Sequence, residues 1–295
     1  MRSLTRQTAR ILISILLAAS SFASGPLLAQ NASSPDYVPQ VGQQGKDVIW
    51  VPTPQALVEH MLDMARVTPK DYVVDLGSGD GRTVIAAAKR GARALGIEYD
   101  PGLVALAKRN AEKAGVSGNA HFIQSDLFKT DFSDADVLTL YLLPSLNLKL
   151  RPTILKMRPG TRVVSHAFTM YDWRPDQTHT AGDRTAYMWI VPAPVEGTWQ
   201  LSISTGRTGN DELVLRQWFQ YAQGLVRING KTSELGNVRI QGTQISFTIF
   251  EPAGGDPLRR DFTGRVFGNT MEGVLKLPEG EQTWRTTRVP PPAKR

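Results

Sequence analysis

The sequence predicts an α/β fold with a doubly wound, mostly parallel sheet, followed by an all-β antiparallel barrel or sandwich. Three observations carry this. The apolar run Val73-Val74-Asp75-Leu76 breaks at the glycine-rich turn Gly77-Ser78-Gly79-Asp80-Gly81, and a helical pattern with Val84, Ile85 and Ala88 follows. That is the grammar of a strand feeding a ligand-binding loop and then a helix. From there to about residue 191, short apolar runs alternate with amphipathic ones, which implies strand–helix crossovers of right-handed sense. Beyond Pro192-Ala193-Pro194 no helical period longer than a turn appears, and a two-residue alternation takes over.

Taken in order, the chain opens with Arg2, Arg6 and Arg10 ahead of an apolar run at 11–19, with small residues after it. This reads as a secretory signal over residues 1–29. The run is shorter than the roughly 20 apolar residues that cross a bilayer, so cleavage is expected, best at Ser21-Phe22-Ala23 and alternatively after Ala29. Arginines ahead of the run hold the N-terminus inside. The expected location is therefore periplasmic or in the envelope, with membrane contact only through this segment. The chain has 295 residues, 41% of them hydrophobic, and no cysteine. It is long enough for two domains, and with no disulfide or cysteine metal site available the fold must rest on its core. The formal charge is +7, and the three arginines of the signal reduce it to +4 for the rest. No arginine-rich segment or block of like charge follows, so no nucleic-acid partner is expected.

Residues 30–47, rich in Gln, Ser, Gly and Pro, read as a linker. The first domain is expected over 48–192. Thr53 stands as N-cap and Pro54 at the first position of a helix carrying Leu57, Met61, Leu62 and Ala65. The segment 92–98 is the second strand. Asp100-Pro101 opens a helix over 103–114 that Gly115 ends. A third strand covers 120–124. The nearly continuous apolar run 136–143 suits a strand buried on both faces. A helix at 146–156 is interrupted near Pro152, a fifth strand spans 160–168, and 184–191 closes the sheet after a short strand near Thr178. Over 195–290 about eight strands are expected. Trp199, Leu201 and Ile203, and later Ile245, Phe247 and Ile249, alternate with polar residues, and Asn229-Gly230 and Gly268-Asn269 supply turns. A structural or recognition module is the simplest reading of this domain, and a small lipocalin-like lipid-binding barrel is the alternative.

The glycines at 77, 79 and 81 decide the ligand class. A dinucleotide fingerprint needs G-x-G-x-x-G, whereas Arg82 stands at the third-glycine place here. Asp75 would set a negative charge against a pyrophosphate but suits a ligand bearing an ammonium or sulfonium. Glu98 ends a strand 17 residues past Gly81, where a carboxylate can accept from two ribose hydroxyls. Asp126 and Leu127 follow the third strand at its carboxyl end, where a carboxylate can accept from an amino group of a ligand and an apolar side chain can pack on its ring. Together these resemble the first motifs of the class I S-adenosylmethionine (SAM) methyltransferases, which share a Rossmann-like sheet.

The likeness narrows with Pro52-Thr53-Pro54, Asp75 through Arg82, Gly96-Ile97-Glu98-Tyr99-Asp100 and Ser125-Asp126-Leu127 in this order. Over about 48–192 the chain is similar to the small family that includes mitochondrial protein-lysine methyltransferases acting on an ATP synthase subunit and on the adenine nucleotide carrier. Leu140-Tyr141-Leu142-Leu143-Pro144, Val164-Ser165-His166-Ala167-Phe168 and Asp172-Trp173 resemble exported bacterial relatives, with Ala167 where an acid is expected. The resemblance implies SAM held by Asp75, Gly77, Ser78, Gly79, Gly81, Glu98, Asp126 and Leu127. It places Thr53, Tyr141 and Pro144 at the pocket of a methyl acceptor, a protein lysine in the named relatives. It assigns no catalytic base. A small-molecule or lipid methyltransferase, and a non-enzymatic exported binding protein on the same fold, stay open. His60, His121, His166 and His179 show no metal-ligand spacing, and His166 lies nearest the expected cleft.

Overall fold

The structure, a computed structural model, describes residues 37–203, 211–251, 258–277 and 280–290. The expected signal at 1–29 lies outside the described residues.

The first unit alternates as expected. Its elements are α1 (Gln55–Met64), β1 (Tyr72–Leu76), α2 (Arg82–Lys89), β2 (Arg93–Glu98), α3 (Pro101–Lys113), β3 (Ala120–Gln124), β4 (Val137–Leu140), α4 (Pro144–Ile154), β5 (Arg162–His166), β6 (Gln177–Ala181) and β7 (Arg184–Ile190). The sheet order is β3-β2-β1-β4-β5-β7-β6. The first five strands in this order run parallel, whereas β7 is antiparallel to both β5 and β6. Adjacent residues of the central strands serve opposite faces, as a pleated strand requires. Val73, Val137 and Val164 pack with α1, α2 and α3, while Val74, Leu138 and Val163 pack with Leu150 and Ile154 of α4. Both faces are therefore covered, and the ligand edge is left at the carboxyl ends of β1, β2, β4 and β5.

Three elements depart from expectation. Pro54, not Thr53, is the residue before α1, and no side chain among the described residues caps that helix. The Thr53 hydroxyl is committed to His166 instead, at 3.1 Å. Strand β4 stops at Leu140, where its paired registers to Leu76 and Ser165 end, and this releases Tyr141 and Leu142 toward the cleft. Helix α4 runs through Pro152 without interruption. Pro152 and Leu148, whose carbonyl loses its intrahelical donor, are both exposed, so the bond that proline removes is lost on the solvent side of the helix, where it costs least.

The second unit consists of β8 (Gly197–Ile203), β9 (Asp211–Trp218), β10 (Tyr221–Ile228), β11 (Lys231–Gln241), β12 (Gln244–Glu251), β13 (Leu258–Phe267), β14 (Thr270–Leu277) and β15 (Gly280–Arg288). Successive strands pair antiparallel, and β15 pairs with β8, which closes the barrel. It is a barrel and not a sandwich. Inside, Phe247 and Phe262 stack with ring centroids 4.7 Å apart, and Trp284 meets both edge-on at 5.5 and 5.8 Å. With Trp199, Met271 and Leu275 also buried there, the lumen is a packed core and lacks the room of a lipid-binding barrel.

The two units are tied along a seam. Ala193 N donates to Gly242 O at 2.8 Å, and the Gln217 amide bridges Val195 N and Ala193 O at 2.7 and 3.0 Å. Gln220 Nε2 donates to Arg174 O at 2.6 Å. The Phe219 ring stacks on Trp173 at 5.8 Å with 14° between planes, and the Arg151 guanidinium lies 5.2 Å from the Phe219 centroid. Even so, the barrel closes its own hydrogen bonds and owns its core. Residues 195–295 expressed alone are expected to give a cooperative β-type circular dichroism melt. A chain soluble only with residues 48–192 attached would show that the seam is required for folding.

Candidate active site

The strand β1 ends in a loop built on left-handed backbone, with φ of 79° at Gly77, 54° at Gly79 and 83° at Gly81. Such angles are cheap only for glycine. Backbone groups of Gly77 and Ser78 both donate to Ile97 O, at 2.9 and 3.2 Å, so β2 fixes the loop. Glu98 buckles it further. Its Oε2 accepts from Gly79 N at 2.9 Å, and its Oε1 accepts from Tyr99 N and Asp100 N at 2.7 and 2.9 Å. Gly81 sits behind the loop, off the cleft wall, as the cap residue of α2. A Cβ at Gly81 would lie 2.7 Å from the Phe122 ring and 2.9 Å from Ala107, so its glycine is required for packing.

Asp75 is 6% exposed, and its Oδ1 accepts from Thr139 Oγ1 at 2.6 Å. Burial pushes this carboxyl up to about 7, with the charges of Glu98 and Asp80 adding to the rise and the Thr139 hydroxyl opposing it. A buried carboxylate in this state lacks a counter-charge, which a sulfonium or ammonium ligand would supply. Ser78 Oγ, also buried, has no partner among the described residues. The glycine cradle, the unpaired hydroxyl and the cation-seeking carboxylate together fit SAM.

The stretch read from sequence as a linker is, from Tyr37 on, a strap across this cleft. Gly42 N donates to Trp50 O and Trp50 N to Gln43 O, both at 2.9 Å, and Gly45 N donates to Val48 O at 3.0 Å. The Trp50 indole presses on the loop: a Cβ at Gly79 would lie 2.7 Å from its Nε1. At the rim, Lys46 Nζ pairs with Asp126 Oδ2 at 2.9 Å and lies 5.0 Å from the Tyr99 centroid. The Lys46 ammonium and the Phe128 backbone N–H hold the Asp126 carboxyl below its usual range. Asp126, expected to meet an amino group of the ligand, is thus engaged by the strap. Under the strap the cleft encloses about 120 Å³, below the roughly 300 Å³ at which ligand pockets begin, so the strap has to lift for a nucleoside to enter.

Asp75, Gly77, Ser78, Gly79, Glu98, Asp126, Leu127, Thr53 and Tyr141 all line this one cleft. Pro144 does not, because it opens α4 away from the wall, where Leu142 and Leu146 stand instead. Thr53 is held by its carbonyl, which accepts from Arg82 Nη1 at 2.8 Å, and Arg82 pairs in turn with Asp80 at 2.6 Å. Of the other histidines, His60 and His179 meet with ring centroids 3.5 Å apart and 38° between planes, and His121 is exposed on β3. A larger concavity of about 960 Å³ lies on the outer face of the barrel, lined by Arg239, Arg265 and Arg285 among others. It is an open groove of largely exposed side chains, and the chemistry is assigned to the cleft.

Similarity to known proteins lies in this same part of the chain. The family model described as the ANTKMT methyltransferase domain matches residues 75–177. A protein-lysine N-methyltransferase of Saccharolobus islandicus (strain REY15A) is 39% identical over 162 residues, which cover 52% of this chain and 96% of the relative. The chain belongs to the protein-lysine methyltransferase family of class I SAM-dependent enzymes. A lysine N-methyltransferase of Mus musculus, named for an ATP synthase subunit, is 34% identical to this methyltransferase over 186 residues, 62% of this chain and 71% of the relative. A crystal structure of an RNA methyltransferase from Salinibacter ruber in complex with S-adenosyl-L-homocysteine is 52% identical, covers 49% of this chain and 96% of its own, and superposes with a TM-score of 0.48. The barrel of the methyltransferase lies outside the 75–177 match.

Proposed function

We propose that the protein transfers the methyl group of SAM to lysine side chains of a protein acceptor, and that it does so in the periplasm or envelope. The observation that carries the acceptor class is the acceptor end of the cleft, read beside relatives that are themselves protein-lysine methyltransferases. Thr53, Tyr141 and Leu142 line that end and contribute no carboxylate. An aromatic face there suits an alkyl ammonium. Support for the location is the arginine-led apolar segment at 1–29.

SAM, when bound, supplies an electrophilic methyl group on a positively charged sulfur. Asp75 and the glycine loop would hold its methionine end, Glu98 its ribose, and Leu127 with Asp126 its base once Lys46 lets go. The acceptor amine must be unprotonated before its lone pair forms the new N–C bond as the C–S bond breaks, and the proton passes to solvent. The protein's own contribution is orientation and exclusion of water, which is worth several orders of magnitude when the reacting atoms are held in line.

The test is calorimetric SAM binding followed by incubation of the full chain with methyl-labelled SAM and an envelope fraction. We expect label on lysines, located by mass spectrometry of the proteins. Label recovered only in lipid, small molecules or added RNA would overturn the lysine assignment. A reporter enzyme active only outside the membrane, fused after Arg295, is expected to be active, and an inactive fusion would return the protein to the cytoplasm.

A further inference from the structure

Strand β5 ends in a fully buried histidine, 0% exposed, and the chain turns sharply after it. Ala167 adopts φ +64°, its N–H donates to Thr185 O at 2.7 Å, and Phe168 N donates back to His166 O at 2.8 Å. The turn brings Phe168 over Tyr141, stacked at 6.1 Å. The His166 ring itself lies against Tyr141 with centroids 3.9 Å apart and 32° between planes. Its Nδ1 is 3.1 Å from Thr53 Oγ1, and its Nε2 is buried with no partner among the described residues. Thr53 and Tyr141 are cleft residues, while His166 stands immediately behind them. Three segments that are far apart in sequence therefore meet in one imidazole at the acceptor end.

We propose that His166 is the positioning residue of the acceptor side, an imidazole fixed by Thr53 that presses the Tyr141 ring into the cleft and so sets the line along which the acceptor nitrogen approaches. The inference rests on the methyl-transfer reading. Burial, with the nearby Arg184 charge adding to it, pushes His166 down to about 4, so it is neutral at physiological pH. Neutrality matters here. A cationic imidazole behind Tyr141 would repel both a sulfonium and a lysine ammonium, whereas a neutral one shapes the wall without opposing either.

Substitutions separate its two nitrogens. His166→Asn keeps a polar atom near the Nδ1 position, His166→Phe keeps only the stack, and Thr53→Val removes the same hydrogen bond from the other side. With the full chain, His166→Phe and Thr53→Val are each expected to lower kcat about 10- to 100-fold, the scale of a small misplacement of reacting groups. The SAM dissociation constant should stay within about threefold, His166→Asn should recover most of the loss, and the double variant should be no worse than either single one. Fluorotyrosine NMR of the S-adenosylhomocysteine complex reads the same point without turnover, with Tyr141 assigned through Tyr141→Phe. One sharp Tyr141 resonance is expected in the unsubstituted protein and in His166→Asn, and a broadened or multiple one in His166→Phe. An unchanged sharp resonance in His166→Phe, additive losses in the double variant, or an equal fall in SAM affinity would overturn the proposal. Failure of SAM to bind the unsubstituted protein would overturn the underlying reading instead.

Discussion

Asp75→Asn is expected to make the cofactor-free protein more stable at pH 8 while it cripples cofactor binding. The carboxyl titrates at about 7 in the fold, against a reference value of 3.8. A folded-state value above the unfolded one means that the protonated form favours folding. That contribution is complete below about pH 4, fades as pH rises, and is gone above about pH 7. The difference of about three pH units corresponds to roughly 4 kcal/mol at most. Asparagine keeps an oxygen for the Thr139 hydroxyl and carries no charge to desolvate, so its thermal midpoint should exceed that of the unsubstituted chain by a margin that widens from pH 5 to pH 8. Cofactor reverses the order. Loss of one charge-assisted contact costs on the order of 1.5 to 3 kcal/mol, or about 10- to 150-fold in SAM affinity. Calorimetry near pH 7 in buffers of different ionisation enthalpy should also show proton release on SAM binding, absent in Asp75→Asn. Equal midpoints at pH 5 and pH 8 together with unchanged affinity would remove Asp75 from the site.

The second large effect is expected at the seam. Trp173 is fully buried, packed on Trp189 at 6.1 Å and on Phe219 of the barrel at 5.8 Å, and its carbonyl accepts from Trp189 Nε1 at 2.8 Å. Truncating it to alanine removes an indole between two cores and should cost about 3 to 5 kcal/mol. Scanning calorimetry should then resolve two transitions, the α/β unit melting first and the barrel later. Trp173→Phe is the control. It keeps a ring on Phe219 and deletes an indole N–H that has no partner among the described residues, so it should lose much less. A single transition and a loss under about 1 kcal/mol in Trp173→Ala would show that the seam carries little energy.

What the sequence made legible follows from how local each signal is. The sheet could be read because alternate residues of β1, β4 and β5 serve opposite faces and each helix begins or ends on a local cue, as Asp100 does for α3 by accepting from Gly102 N and Leu103 N at 2.7 and 3.0 Å. The glycine loop was legible for the same reason, since its turn is written in its own glycines, whereas Glu98, read as a ribose acceptor, accepts in the structure from the backbone N–H groups of Gly79, Tyr99 and Asp100. Thr53 was misread because a threonine before Pro54 obeys the local capping rule, while its actual partner lies 113 residues away. The strap escaped because nothing in it is periodic: glycine turns shape it, and an ion pair across 80 residues holds it. Trp50, an indole closing a stretch rich in polar residues and glycine, was the signal that such a stretch had something to cover. Pro152 failed as a breaker because its side of α4 faces water.

The strap also gives the protein a sensitivity that the cleft alone would not have. Its rim is held by an exposed pair, Lys46 and Asp126, which loosens as ionic strength rises, while Trp50 on the glycine loop is indifferent to salt. Exchange of spent for fresh methyl donor has to pass beneath both, and in many enzymes such opening sets the turnover rate. The Lys46–Asp126 pair thus gives the opening of the strap an ionic-strength dependence that the Trp50 contact does not have.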